Sequence, residues 1–135
     1  MEIIHVYTDG ACSKNPGPAG IGVYLKYRYQ TKSISKYLGI ATNNIAELTS
    51  IKEGLLAINN KKAPICLYSD SQYAINILTN PTWIPKKNIE LIQEIKKILK
   101  EFSNLKFIKV KGHSSNEGNT IADKLAVSAY LEHIL

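Results

Sequence analysis

The hydrophobic period of this chain changes near Thr42, from two to nearly four. Before that point, residues 3–8, Ile21 to Leu25 and Lys32 to Gly39 alternate as strands do, with short turn signals between them. The Asp9-Gly10 pair reads as the turn that closes the first of these strands. After Thr42-Asn43, which supplies a helix cap, Leu48, Ile51, Leu55 and Ile58 recur at helical spacing until Asn59-Asn60. A strand from Ile65 to Tyr68, a short helix near Ser71, a helix over 88–102, a strand over 105–110 and a helix from Asn116 complete the pattern. Three strands joined by short turns predict an antiparallel meander, and strands separated by helices predict parallel neighbours. The expectation is an α/β fold, a five-stranded mixed sheet flanked by helices, in one domain spanning 1–135. A chain of 135 residues has room for one core and little more.

Two aspartates end strands that look alike. His5-Val6-Tyr7-Thr8-Asp9 and Ile65-Cys66-Leu67-Tyr68-Ser69-Asp70 each finish with a tyrosine, a hydroxyl residue and an acid. As parallel neighbours in register, they would set their carboxylates about 5 Å apart, at the sheet edge where open α/β folds bind ligands. Two acids so close repel, so one takes a proton or a cation bridges them. Oxygen donors of this kind suit Mg²⁺ or Mn²⁺. The plainer alternative for each is a turn or helix cap.

Two helices add acids of their own. Glu47 shares a stripe with Ile51, Gly54 and Ile58, and Asp123 precedes Ala126, Val127 and Tyr130 at offsets of three, four and seven. Either alone would pass for a solvated surface acid. The case for a metal site rests on all four converging.

The surroundings are consistent with a polyanionic partner. The formal charge is +6, and Arg28 is the only arginine among 17 basic residues. Reading base edges is mainly work for arginine, whereas lysines suit phosphate backbones of any sequence. A general lysine bias would give the same count. No apolar run reaches the length of a membrane span. The start of the chain is neither a signal nor a transit peptide. Two cysteines without a CxxC pair fit free thiols in a reducing compartment, so a cytoplasmic location is expected.

These segments together resemble type 1 ribonuclease H. Tyr7-Thr8-Asp9-Gly10 with Cys12 and Asn15, Gly20 to Val23, Thr42 to Leu48, Ser69 to Tyr73, and Val110 to Ser114 with Gly118-Asn119 and Ala122-Asp123 follow one another as that family's motifs do. The resemblance implies a ribonuclease H-like fold and an endonuclease for the RNA strand of RNA–DNA hybrids. It also implies two Mg²⁺ ions, for which Mn²⁺ can substitute, held by Asp9, Glu47, Asp70 and Asp123. One ion would activate water and the other stabilise the leaving 3′-oxygen, giving 5′-phosphate and 3′-hydroxyl ends. His113, otherwise a plain surface histidine, would shuttle protons or assist product release.

Contacts to the RNA 2′-hydroxyls would fall to Cys12, Asn15, Asn43, Asn44 and Gln72, residues that also serve turns and caps. Thr42 resembles the threonine that binds a DNA phosphate. Ile40 stands where many members carry arginine, and only Thr82-Trp83-Ile84-Pro85-Lys86-Lys87 occupies the place of a longer basic protrusion. Trp83 would stack on the substrate or pack in the core. The rival readings are an integrase- or resolvase-like nuclease, a silent hybrid-binding module, and a fragment of a reverse transcriptase. The first lacks the Asp-Ser-Gln and Gly-His-Ser segments, and the second should have lost an acid. Met1 and a self-contained core favour a free-standing protein over the third, expected to act as a monomer.

Overall fold

The computed structural model describes residues 2–111 and 116–135. Five strands, β1 (Ile4–Cys12), β2 (Gly17–Tyr27), β3 (Gln30–Ala41), β4 (Ile65–Ser69) and β5 (Leu105–Lys109), form one sheet. Four helices, α1 (Asn43–Leu56), α2 (Gln72–Thr79), α3 (Ile89–Leu99) and α4 (Glu117–Ile134), connect and cover them. The strand order is β3-β2-β1-β4-β5. β1, β2 and β3 are antiparallel neighbours, whereas β1–β4 and β4–β5 are parallel, so the expected meander and mixed sheet are both present.

Local chemistry explains where the helices begin. The Thr42 hydroxyl accepts the Ile45 N–H, Ser71 accepts that of Ala74, and the Asn116 side chain accepts that of Asn119. Each satisfies one of the donors that a helix start leaves unpaired. α1 then lays Leu48, Ile51 and Leu55, all essentially fully buried, against Val6, Val23 and Leu67 of the sheet. Gly54 brings the helix onto β1, where Val6 Cγ1 would stand 3.0 Å from an added Cβ. Ile92 and Ile95 of α3 close the same core from outside.

Three expectations change. The Asp9-Gly10 pair lies inside β1, which runs on to Cys12 paired with Ala19. Gly10 is there because α1 crosses it: a Cβ would overlap the Ala46 carbonyl group. β2 begins at Gly17 rather than Ile21, its first turn of pattern hidden by small residues. α3 stops at Leu99, short of Phe102.

The buried stripe of α4 also differs from the expected one. Gly118, Ala122, Ala126 and Ala129 are buried, while Val127 and Tyr130 are only half-buried. Glycines of β2 require this. A Cβ on Gly22 would collide with the Ala122 carbonyl, and one on Gly20 with that of Ala126. Large side chains would hold the helix too far off.

Candidate metal centre

Continuing the register of β1 and β4 from Tyr7↔Tyr68 sets Asp70 opposite Asp9. Asp9 is nearly buried, at 4% exposure, whereas Asp70 follows the last residue of β4. Glu47 descends from α1, and its Oε1 accepts the Gly10 N–H at 2.6 Å. One carboxylate oxygen from each of Asp9, Glu47 and Asp70 lies within 4.8 Å of the others. Asp123, on the flank of the α4 stripe, stands outside that trio but faces Asp9 within hydrogen-bonding reach. All four acids line one cavity of about 340 Å³.

Gly10, Asn119 and Thr120 complete the lining, and no lysine or arginine is among the described residues there. Among the described residues the donor set therefore consists of carboxylate oxygens with no lysine or arginine to balance them, and it fits a hard divalent ion. A larger cavity, about 390 Å³ at the other end of β2, is lined by Leu25, Gln30, Lys32 and Ile58 and carries no carboxylate.

The crowding is visible in the protonation of the acids. Burial, then the charge of Asp70, pushes Asp9 up to about 8 from an ordinary 3.8. Glu47 is raised well above its usual range, again chiefly by burial, then by its hydrogen bond with Asp70 and the charge of Asp9. At pH values below about 3.8 Asp9 is protonated whether the chain is folded or not, and its contribution is complete. As pH rises toward 8, the unfolded chain releases a proton that the folded one retains, so unfolding is favoured. Thermal denaturation in chelator should therefore give a Tm that falls between about pH 4 and 8. Mg²⁺ should restore it most at pH 8. A Mg²⁺ effect independent of pH would mean that the ion does not replace these protons.

Six of the seven residues expected to meet nucleic acid fall in two groups. Cys12 donates to the Ala41 carbonyl, the Asn15 side chain accepts the Asn43 N–H at 3.0 Å, and Thr42 caps α1. These four lie together beside the helix start. Asn44 and Trp83 line a separate surface cavity of about 280 Å³ with Tyr73, Lys86 and Lys87. Trp83 is 43% exposed and is not a core residue. Gln72 donates to Asn76 on α2 at 2.9 Å. His113 lies outside the described residues.

Sequence reasoning missed Asn119 and Thr120 as lining residues. Asn119 is 4% exposed, and its Nδ2 donates to the Lys111 carbonyl at 3.5 Å. Its signal was available, because Asn119 precedes Asp123 by one helical turn and so shares its face.

Comparison with known proteins agrees with this geometry. The RNase H family model matches residues 1–130. A ribonuclease H of Caldanaerobacter subterraneus subsp. tengcongensis is 40% identical, over 98% of this chain and 94% of its own. LC11-RNase H1, isolated from compost by a metagenomic approach, superposes with a TM-score of 0.85 at 28% identity, covering 100% of both chains. A structure of LC11-RNase H1 in complex with an RNA/DNA hybrid gives 0.81 at 26% identity, over 98% of this chain and 99% of that one.

Proposed function

The chain belongs to the RNase H family, as a type 1 member, and from that premise we propose that it cuts the RNA strand of RNA–DNA hybrids internally. The observation that carries the reading is the trio Asp9, Glu47 and Asp70, with oxygens mutually within 4.8 Å at the carboxyl edge of parallel strands. A similar chain is known in complex with an RNA/DNA hybrid, which supports the choice of substrate.

Asp9 and Asp70 would be the central ligands of two Mg²⁺ ions, with Glu47 and Asp123 completing the shell; Mn²⁺ can substitute. Bound there, the ions supply a nucleophilic water and neutralise charge at the leaving 3′-oxygen. The protein's part is to hold the acids in fixed positions. The Gly10 N–H fixes Glu47, the β1–β4 ladder fixes the aspartates, and α4 carries Asp123 to the cavity. Products would carry 5′-phosphate and 3′-hydroxyl ends. Cys12, Asn15, Asn43, Asn44 and Gln72 would meet the RNA strand and Thr42 a DNA phosphate, while the exposed Trp83 would stack on a sugar or base.

We place the whole of 1–135 in one catalytic domain, acting as a cytoplasmic monomer. No described helix is long and apolar enough to cross a membrane, and Cys12 and Cys66 are both free thiols.

The test uses Mg²⁺ or Mn²⁺ with four substrates: hybrid, double-stranded RNA, double-stranded DNA and single-stranded RNA. Only the hybrid should be cut, in its RNA strand. Cleavage of the DNA duplex would overturn the reading. In the same assay, His113→Ala should retain measurable activity, lowered by about 10²–10⁴-fold if the imidazole transfers protons in the cleavage step. Total loss would instead make His113 indispensable.

A further inference from the structure

The side of the sheet that carries the aspartates is ordered in rows. Paired positions on β2, β1, β4 and β5 read Lys26–His5–Cys66–Lys106 in one row and Tyr24–Tyr7–Tyr68–Ile108 in the next. The following row begins Gly22–Asp9 and continues at Asp70. The aromatic row is therefore adjacent to the acid row, and the row beyond it carries two lysines, Lys106 at the β5 edge and Lys26 on β2.

The rings form a stack. The Tyr7 and Tyr68 ring centres are 4.3 Å apart with planes nearly parallel, at 8°, and His5 lies 5.8 Å from Tyr68. The His5 Nδ1 and Tyr68 hydroxyl share a hydrogen bond of 2.7 Å, which locks the two together. α4 lies over β1, β2 and β3 and presses Gly118 onto the Tyr7 ring. α1, α2 and α3 share their core with Val6, Leu67 and Phe107 on the opposite face. Among the described residues no helix packs over β4 and β5 on the aspartate side. His5 and Tyr68 are only half-buried, and Lys26 and Lys106 are exposed.

From this arrangement we infer that the open face is a stacking subsite for a single-stranded extension of the hybrid, beside the acid row. The inference rests on the proposed function. Two observations select nucleic acid over a purely apolar partner. Neither row contains an acid, the outer one holds Lys26 and Lys106, and the platform is continuous with the acids proposed to hold the cleaved strand. A base has a π-face that extends such a stack whatever its identity, while lysines at the margin meet its phosphates.

The experiment measures binding of the Asp70→Asn protein, in Mg²⁺, by fluorescence anisotropy. The probes are a blunt 12-base-pair hybrid and four versions, each with a four-nucleotide single-stranded extension on a different end. One extension should tighten binding at least about fivefold, the least that stacking of one base would give. Adding Tyr68→Ser should remove that gain and leave blunt binding unchanged. Lys106→Glu, at an exposed position that does not threaten folding, should reduce the gain and its salt dependence.

If the blunt hybrid binds and no extension binds more tightly, the subsite is refuted while the hybrid reading stands. Retention of the gain in both variants refutes it as well. Dimerisation that Tyr68→Ser abolishes, seen by sedimentation, would assign the face to a second copy instead. Failure to bind the blunt hybrid would overturn the hybrid reading and the inference together.

Discussion

Asp9→Asn should lower hybrid cleavage by at least about a thousandfold, equivalent to roughly 4 kcal/mol of transition-state stabilisation. The side chain keeps its size, so the packing of β1 changes little. What is lost is a negative charge at the centre of the cluster. Asp9 faces Asp70, Glu47 and Asp123. A hard cation held here without Asp9 loses its most enclosed oxygen donor. The same substitution should have the opposite effect on the metal-free fold. A neutral amide needs no proton to sit among carboxylates, so the fall of Tm toward pH 8 should flatten and the variant should melt above the parent there. Kinetics on a defined hybrid and melting curves in chelator check the two halves. A variant that loses activity and melts lower at pH 8 would point to damaged packing rather than a lost ligand.

The second large effect should come from Gly22→Ala. The added Cβ meets backbone, the Ala122 carbonyl and the Ala126 nitrogen, with the Leu125 Cβ only 2.8 Å away. None of these can rotate aside. α4 must move off the sheet, with a cost of about 3 kcal/mol or more, at the upper end of overpacking. Gly54→Ala is the instructive contrast. Its Cβ meets the Val6 and Thr8 side-chain methyls at 3.0 and 3.2 Å, which can shift by small amounts. A mid-helix glycine also costs about 1 kcal/mol relative to alanine. Gly54→Ala should therefore stay close to neutral in urea denaturation, while Gly22→Ala loses α4 packing and, with it, Asp123. Equal midpoints for the two variants would refute the close-packing account.

The contrast also explains which parts of the structure could be read in advance. The Asp9 and Asp70 pairing was legible because both strands carry the same ending, and parallel pairing of like sequences leaves little freedom of register. The α1 side was legible too, since Leu48, Ile51 and Leu55 are large and recur at helical spacing. The α4 side was not. Its contact is made by glycine and alanine, which contribute little to a hydrophobic period, so Val127 and Tyr130 drew attention from a stripe that excludes them. Asp9-Gly10 misled for a related reason. Glycine after aspartate usually marks a turn, whereas here the missing side chain admits the backbone of α1. Trp83 could be placed only by the fold, because an aromatic between prolines has no periodicity to follow.

The parallel pairing of β1 with β4 has a temporal consequence. It joins residues near the start of the chain to residues near its middle, and α4 then adds Asp123 from close to the end. Contacts so distant in sequence form late and slowly, because long loops must close before the pairing gains anything. During synthesis, Asp9 leaves the ribosome long before its partners exist. Asp123 cannot join the trio until α4 has emerged and docked. A polypeptide without α4 would therefore present only three of the four acids that line the cavity.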